Sequence, residues 1–153
     1  MTWLKSLALG LAVTALTLSG ALAGAATAEI KDSSGESLGT VTLTETPHGV
    51  LLVADLMRLT PGGHGFHIHE KGACTPDFKA AGGHFNPAGN GHGINDPDGS
   101  LKAEILNAKV TLGPGANSVF DSNGSAIVLH AKPDSHGAAP KAGGRIACGV
   151  IGQ

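Results

Sequence analysis

The sequence predicts an all-β fold, a sandwich or barrel, on three observations. Short alternating or β-branched segments recur along the chain, turn-rich pieces separate them, and nothing between them sustains a helical period. The composition agrees: 24 Gly and 8 Pro among 153 residues favour many turns over long helices. A formal charge of −2 offers no basic field for nucleic acid.

The first segment stands apart. Residues 1–28, "MTWLKSLALGLAVTALTLSGALAGAATA", carry one charge at Lys5, then an apolar run, then small residues at Ala-x-Ala spacing. That is the pattern of a secretory signal peptide, with cleavage expected after Ala28 or, as the other site, after Ala23. The apolar core is short for a bilayer, so no stable membrane insertion is expected once the leader is removed. Residues 29–153 then form one periplasmic or secreted domain. In that oxidising setting the two cysteines, Cys74 and Cys148, are expected to bond.

Within the domain, "SLGTVTLTE" and "GVLLVADLMRL" flank the turn "ETPHG" and read as a hairpin. "GFHIHE" follows as a strand, then a long loop from about Glu70 to Ser100, dense in Gly, Pro, Asn, Asp and His. "SLKAEILNAKVTL", "GSAIVLHA" and "GRIACGVI" complete the strands, with a second long loop at about 132–144. Long loops on a rigid β scaffold are where function concentrates.

In "GFHIHE" the strand alternation sends His67 and His69 to one face and Phe66 and Ile68 to the other. Phe66 and Ile68 can enter a core while two neutral imidazoles share a surface, a donor set suited to copper or zinc. His84 and His92 lie in the long loop, and His130 closes the apolar run "SAIVLH" at a sheet rim. The pair alone could equally be two surface histidines. The further histidines shift the weight toward a metal.

The motifs "GFHIHEKGAC", "GGHFNP", "GSAIVLHAKPD" and "GGRIACGVIG" together resemble the copper/zinc superoxide dismutase family over nearly the whole mature chain. The resemblance implies a Greek-key β-sandwich, or flattened barrel, with two functional loops. It implies that His67, His69, His84 and His130 bind copper, with His84 also bridging to zinc and His92 a zinc ligand. Arg145 matches the arginine that guides superoxide beside copper. Asp134 resembles the carboxylate linking the two metal sites, Cys74 and Cys148 the disulfide that ties the ligand loop to the last strand. His64 matches a structural, hydrogen-bonded histidine, and surface roles are expected for His48 and His136.

One part of the pattern is broken. In the family, a Gly-Asp-Leu-type segment soon after a zinc histidine completes the zinc site; here "GHGINDPDG" runs straight into "SLKAEILNAKVTL". The segment is expected to be missing, and with it one strand of the usual eight, beside the strand carrying the H-x-H pair. Alternation places Glu104 with Lys102 on the solvent face, so Asp96 and Asp98 are the better substitute ligands. Loop residues 86–100, or a second subunit, are expected to cover the exposed edge.

The function that follows is an exported copper-dependent superoxide dismutase acting on superoxide as monomer or homodimer, with His84 and Arg145 catalytic and zinc uncertain. The alternatives are a copper-binding or copper-buffering protein of the same fold without dismutase activity, and a structural β-sandwich module binding a partner through its open edge.

Overall fold

The computed structural model describes residues 24–85, 99–135 and 141–153, and the backbone of 92–96. Among the described residues eight strands run in chain order: β1 (Ala25–Asp32), β2 (Ser37–Thr46), β3 (Gly49–Leu56), β4 (Gly62–His69), β5 (His92–Asp96), β6 (Leu101–Asn107), β7 (Ala126–His130) and β8 (Arg145–Val150). Their order in the sheet is β5-β4-β7-β8-β1-β2-β3-β6.

Two four-stranded halves meet at β1 and β8, which share only the pairs Lys31↔Cys148 and Asp32↔Ala147. In the first half, β1, β2, β3 and β6 alternate. Ala26, Ala28, Ile30, Val41, Leu43, Val50, Leu52 and Ala54 point into one buried cluster while their neighbours stay wet. The same cluster takes in Phe66 and Ile68 of β4 and Ile127 and Leu129 of β7, so the inner faces of both halves close on a single core. Burying these side chains is the main favourable term holding the halves together.

β4 and β7 are covered on both faces, with every residue of β7 buried. Their second cover is the loop between β4 and β5. Its one-turn 3-10 helix, Phe78–Ala81, is capped by Asp77, whose side chain accepts from Lys79 N–H. Ala81 packs on Ala126, Val128 and Cys148, with Cys74 and Phe78 beside them. The disulfide Cys74–Cys148 fastens this loop to β8.

Seven strands lie outside the loop that joins β4 to β6, and the eighth, β5, is drawn from that loop itself. β5 pairs antiparallel with β4 from Gly62↔Asp96 to Phe66↔His92. The seven strands outside the loop are one short of eight, as the sequence predicts, and among the described residues β5 adds an eighth from within the loop. The edge of β4 is covered from within residues 86–100, as the covering-loop alternative anticipates. Beyond β5, the segment around His84 takes over: Phe85 N–H donates to Ile68 O at 2.8 Å and Glu70 N–H to Gly83 O at 3.0 Å. The backbone groups of β4 are thus satisfied along the edge by two short pieces of one loop.

Candidate metal centre

His67 and His69 project from β4 on the face opposite Phe66 and Ile68, as strand alternation requires. His130 ends β7, and its backbone pairs with Arg145 at the start of β8. An isolated bridge between His69 and His84 brings the loop histidine alongside β4. The ligand atoms of His67, His69, His84 and His130 all lie within 4.8 Å of one another. Room for this depends on Gly65, where a Cβ would fall 2.6 Å from Ala142 Cβ, 3.1 Å from His67 Cε1 and 3.3 Å from His130 Cβ.

The ring partners decide what the cluster can do. His69 Nδ1 lies 3.1 Å from Gly82 O, His130 Nδ1 3.2 Å from Gly143 O, and His67 Nε2 2.5 Å from Asp134 Oδ2. Oxygen acceptors take a proton from a ring nitrogen, so these partners assign the N–H and leave the other nitrogen of each neutral ring as a lone-pair donor. His130 Nε2 and His69 Nε2 then face each other at 3.4 Å. Two lone-pair nitrogens cannot hydrogen-bond each other, and a shared cation resolves the contact.

Electrostatics agree with neutral imidazoles. Burial drives the His69 ring down to about 3, against the Gly82 hydrogen bond and helped by the Arg145 charge. Burial also lowers His84 and His130. Rings kept unprotonated in this way are ready ligands. The donor set therefore fits copper, which imidazole nitrogens suit.

Asp134 is buried beside His67, and its Oδ1 has no hydrogen-bond partner among the described residues. Arg145 is half-buried. Its Nη1 donates to Phe78 O at 2.6 Å and its Nη2 to Gly82 O at 2.5 Å, which holds the guanidinium against the ligand loop. It forms part of the wall of a surface cavity of about 670 Å³, with Lys79, Gly143 and Gly144. His64 lies apart from the cluster. Its ring spans His130 O and Thr60 O, each at 2.7 Å, and ties the end of β7 to the turn before β4.

The residues proposed for zinc are less fully placed. His92 and Asp96 stand in β5, but their side chains, like the whole of Asp98 and His136, lie outside the described residues. Glu104 is exposed on the outer face of β6, turned away from the core side as alternation indicates. Sequence reasoning missed the carbonyls of Gly82 and Gly143, which orient two of the rings. Only the Gly-Gly pairs before His84 and Arg145 hint at them.

A β-sandwich that gathers four imidazoles, three buried and one half-buried, around one point with an anchored arginine nearby has the donor set of a metal-binding protein. The chain belongs to the copper/zinc superoxide dismutase family, whose sequence model matches residues 37–151. It is 47% identical over 147 residues to the Cu-Zn superoxide dismutase of Caulobacter vibrioides, covering 82% of this chain and 84% of that one. It is 41% identical over 144 residues to superoxide dismutase [Cu-Zn] 2 of Aquifex aeolicus, covering 81% and 84%. Among solved structures, a double mutant of a SOD-like protein from Bacillus subtilis superposes with a TM-score of 0.75. Its sequence is 30% identical, and the match covers 81% of this chain and 95% of that one.

Proposed function

We propose that the protein is an exported, copper-dependent superoxide dismutase. The observation that carries the reading is the convergence of four imidazoles, of which burial holds His69, His84 and His130 toward the neutral form while oxygen acceptors orient the rings of His67, His69 and His130. Membership of the dismutase family supports the reaction. In balance, two superoxide anions and two protons yield one dioxygen and one hydrogen peroxide.

Copper, when held by His67, His69, His84 and His130, supplies two adjacent oxidation states, so an electron can be taken from one superoxide and given to the next. The chain's residues do the rest. Arg145, fixed by the carbonyls of Phe78 and Gly82, attracts the anion and can hydrogen-bond it. Asp134 and the Gly82 and Gly143 carbonyls hold the rings in the coordinating tautomers. His84, whose affinity for a proton burial lowers, would carry one of the two protons that the peroxide takes up. His84 and His92 would contribute to a partial zinc site, with Asp96 or Asp98 as a third ligand, one short of the four that structural zinc prefers.

Export is the second part of the proposal. Ala26 and Ala28 are buried in the core and β1 begins at Ala25, so cleavage after Ala28 would remove half of that strand. Cleavage after Ala23 leaves it whole and is the site we favour. Among the described residues no helix is long and apolar enough to cross a membrane. N-terminal sequencing of the exported chain should begin at Gly24.

The test of activity pairs metal analysis with a dismutase assay on the disulfide-oxidised mature chain and on Arg145→Ala. Dismutation that falls at least about tenfold in the variant, at unchanged copper content, supports the enzyme. Stoichiometric copper without dismutation in the parent chain points to copper buffering instead.

A further inference from the structure

We propose that Glu70 is a positioning residue for the metal centre, acting through the single peptide that joins Gly82 and Gly83. The proposal rests on the reading of His69 as a copper ligand and Arg145 as the anion guide.

The carbonyl end of that peptide, Gly82 O, accepts from His69 Nδ1 at 3.1 Å and from Arg145 Nη2 at 2.5 Å. Its N–H end, on Gly83, donates to Glu70 Oε1 at 2.9 Å. One plane therefore fixes a ligand ring and the guanidinium on one side and is held by a carboxylate on the other.

A peptide plane turns by changing ψ of the residue before it and φ of the residue after it. Here both residues are glycine, and backbone sterics alone restrain such a plane weakly. Gly82 sits at φ 74 and ψ −152, where a side chain is strained, and a Cβ there would lie 2.7 Å from Glu70 Oε1. The orientation of the plane is left to its hydrogen bonds. A carboxylate acceptor is the stronger kind, and it also polarises the peptide so that its carbonyl becomes a better acceptor. Glu70 is in turn fixed to the same turn, because its own N–H donates to Gly83 O at 3.0 Å. Rotation of the plane would break the Glu70 bond and withdraw Gly82 O from His69 and Arg145 together. Arg145 would keep only its bond to Phe78 O, and His69 would lose the contact that selects its tautomer.

The experiment uses the full mature chain, disulfide-oxidised, both without metal and loaded with cupric ion. Three variants are compared: Glu70→Ala; Glu70→Gln, which drops the charge but keeps an acceptor oxygen; and Glu104→Ala, which removes the same charge from an exposed strand face. Glu70 is itself exposed, so truncating it leaves the core intact. Two readouts are taken: solvent exchange of the Gly83 amide and the His69 Nδ1 proton by NMR in the metal-free chain, and the copper EPR spectrum in the loaded one.

Glu70→Ala should speed both exchanges by about tenfold, the loss of one charge-assisted hydrogen bond, and change the EPR spectrum. Glu70→Gln should return both toward the parent, and Glu104→Ala should change neither. Glu70→Ala matching the parent would overturn the proposal. So would Glu70→Gln being as disturbed as Glu70→Ala, since an acceptor oxygen kept at that place would then contribute nothing to holding the peptide. If the parent chain takes up no copper, the dismutase reading fails, while exchange in the metal-free chain still decides whether Glu70 holds the peptide.

Discussion

Replacing Asp134 with alanine should weaken copper binding far more than it disturbs the fold. The contact at stake is His67 Nε2 to Asp134 Oδ2 at 2.5 Å, with the two side chains only 2% and 3% exposed. The pair is shielded from bulk solvent and the acceptor is a carboxylate, so the bond belongs to the charge-assisted class worth about 1.5–3 kcal/mol. Without it, His67 is free to move its proton to Nδ1, the nitrogen needed for coordination. At about 1.4 kcal/mol per decade, the loss is about 10- to 150-fold in copper affinity. That agrees with the roughly 10- to 100-fold cost usual for partners behind a metal ligand. Asp134→Asn keeps a neutral acceptor and should lose only about fivefold. Competition against a chelator of known affinity measures both variants. Parent-like affinity in Asp134→Ala would refute the assignment of the His67 tautomer on which the metal centre depends.

Other perturbations follow from the same structure. His69 is lowered to about 3, and His84 and His130 are lowered too, so the unfolded chain takes up protons at these sites before the folded one does. Stability of the metal-free chain should be level above pH of about 6.5 and fall as pH drops from there toward about 3; urea melts at pH 5 and pH 7 check this. Ser125 is fully buried and its hydroxyl has no hydrogen-bond partner among the described residues, so Ser125→Ala should raise stability by about 1 kcal/mol, read as a higher urea midpoint. Gly65→Ala would drive a methyl against Ala142 and the His130 stem, costing about 1–3 kcal/mol in a thermal melt and lowering copper uptake.

Much of this arrangement is legible in the residues themselves. Period-2 alternation places His67 and His69 together and opposite Phe66 and Ile68. The apolar run before His130 reads as a strand with that histidine at its end, and β7 spans Ala126–His130. What escapes is set by tertiary context. "HGIND" has no strand pattern, yet it forms β5 because the edge of β4 offers unpaired backbone groups. Ala25 to Ala28 look like the tail of a leader by composition, while the fold uses Ala26 and Ala28 as small core residues. The carbonyls of Gly82 and Gly143 leave no mark on side-chain identity, because their direction is a property of loop conformation. Glu70 reads as an ordinary exposed acid until the Gly82–Gly83 peptide is seen in front of it.

The most direct measurement is EPR of the mature chain titrated with cupric ion, with histidine in natural abundance and again labelled with nitrogen-15. The account predicts one copper per chain and a hyperfine pattern from imidazole nitrogens that changes with the label. Substoichiometric uptake, or a spectrum indifferent to the histidine label, would contradict it.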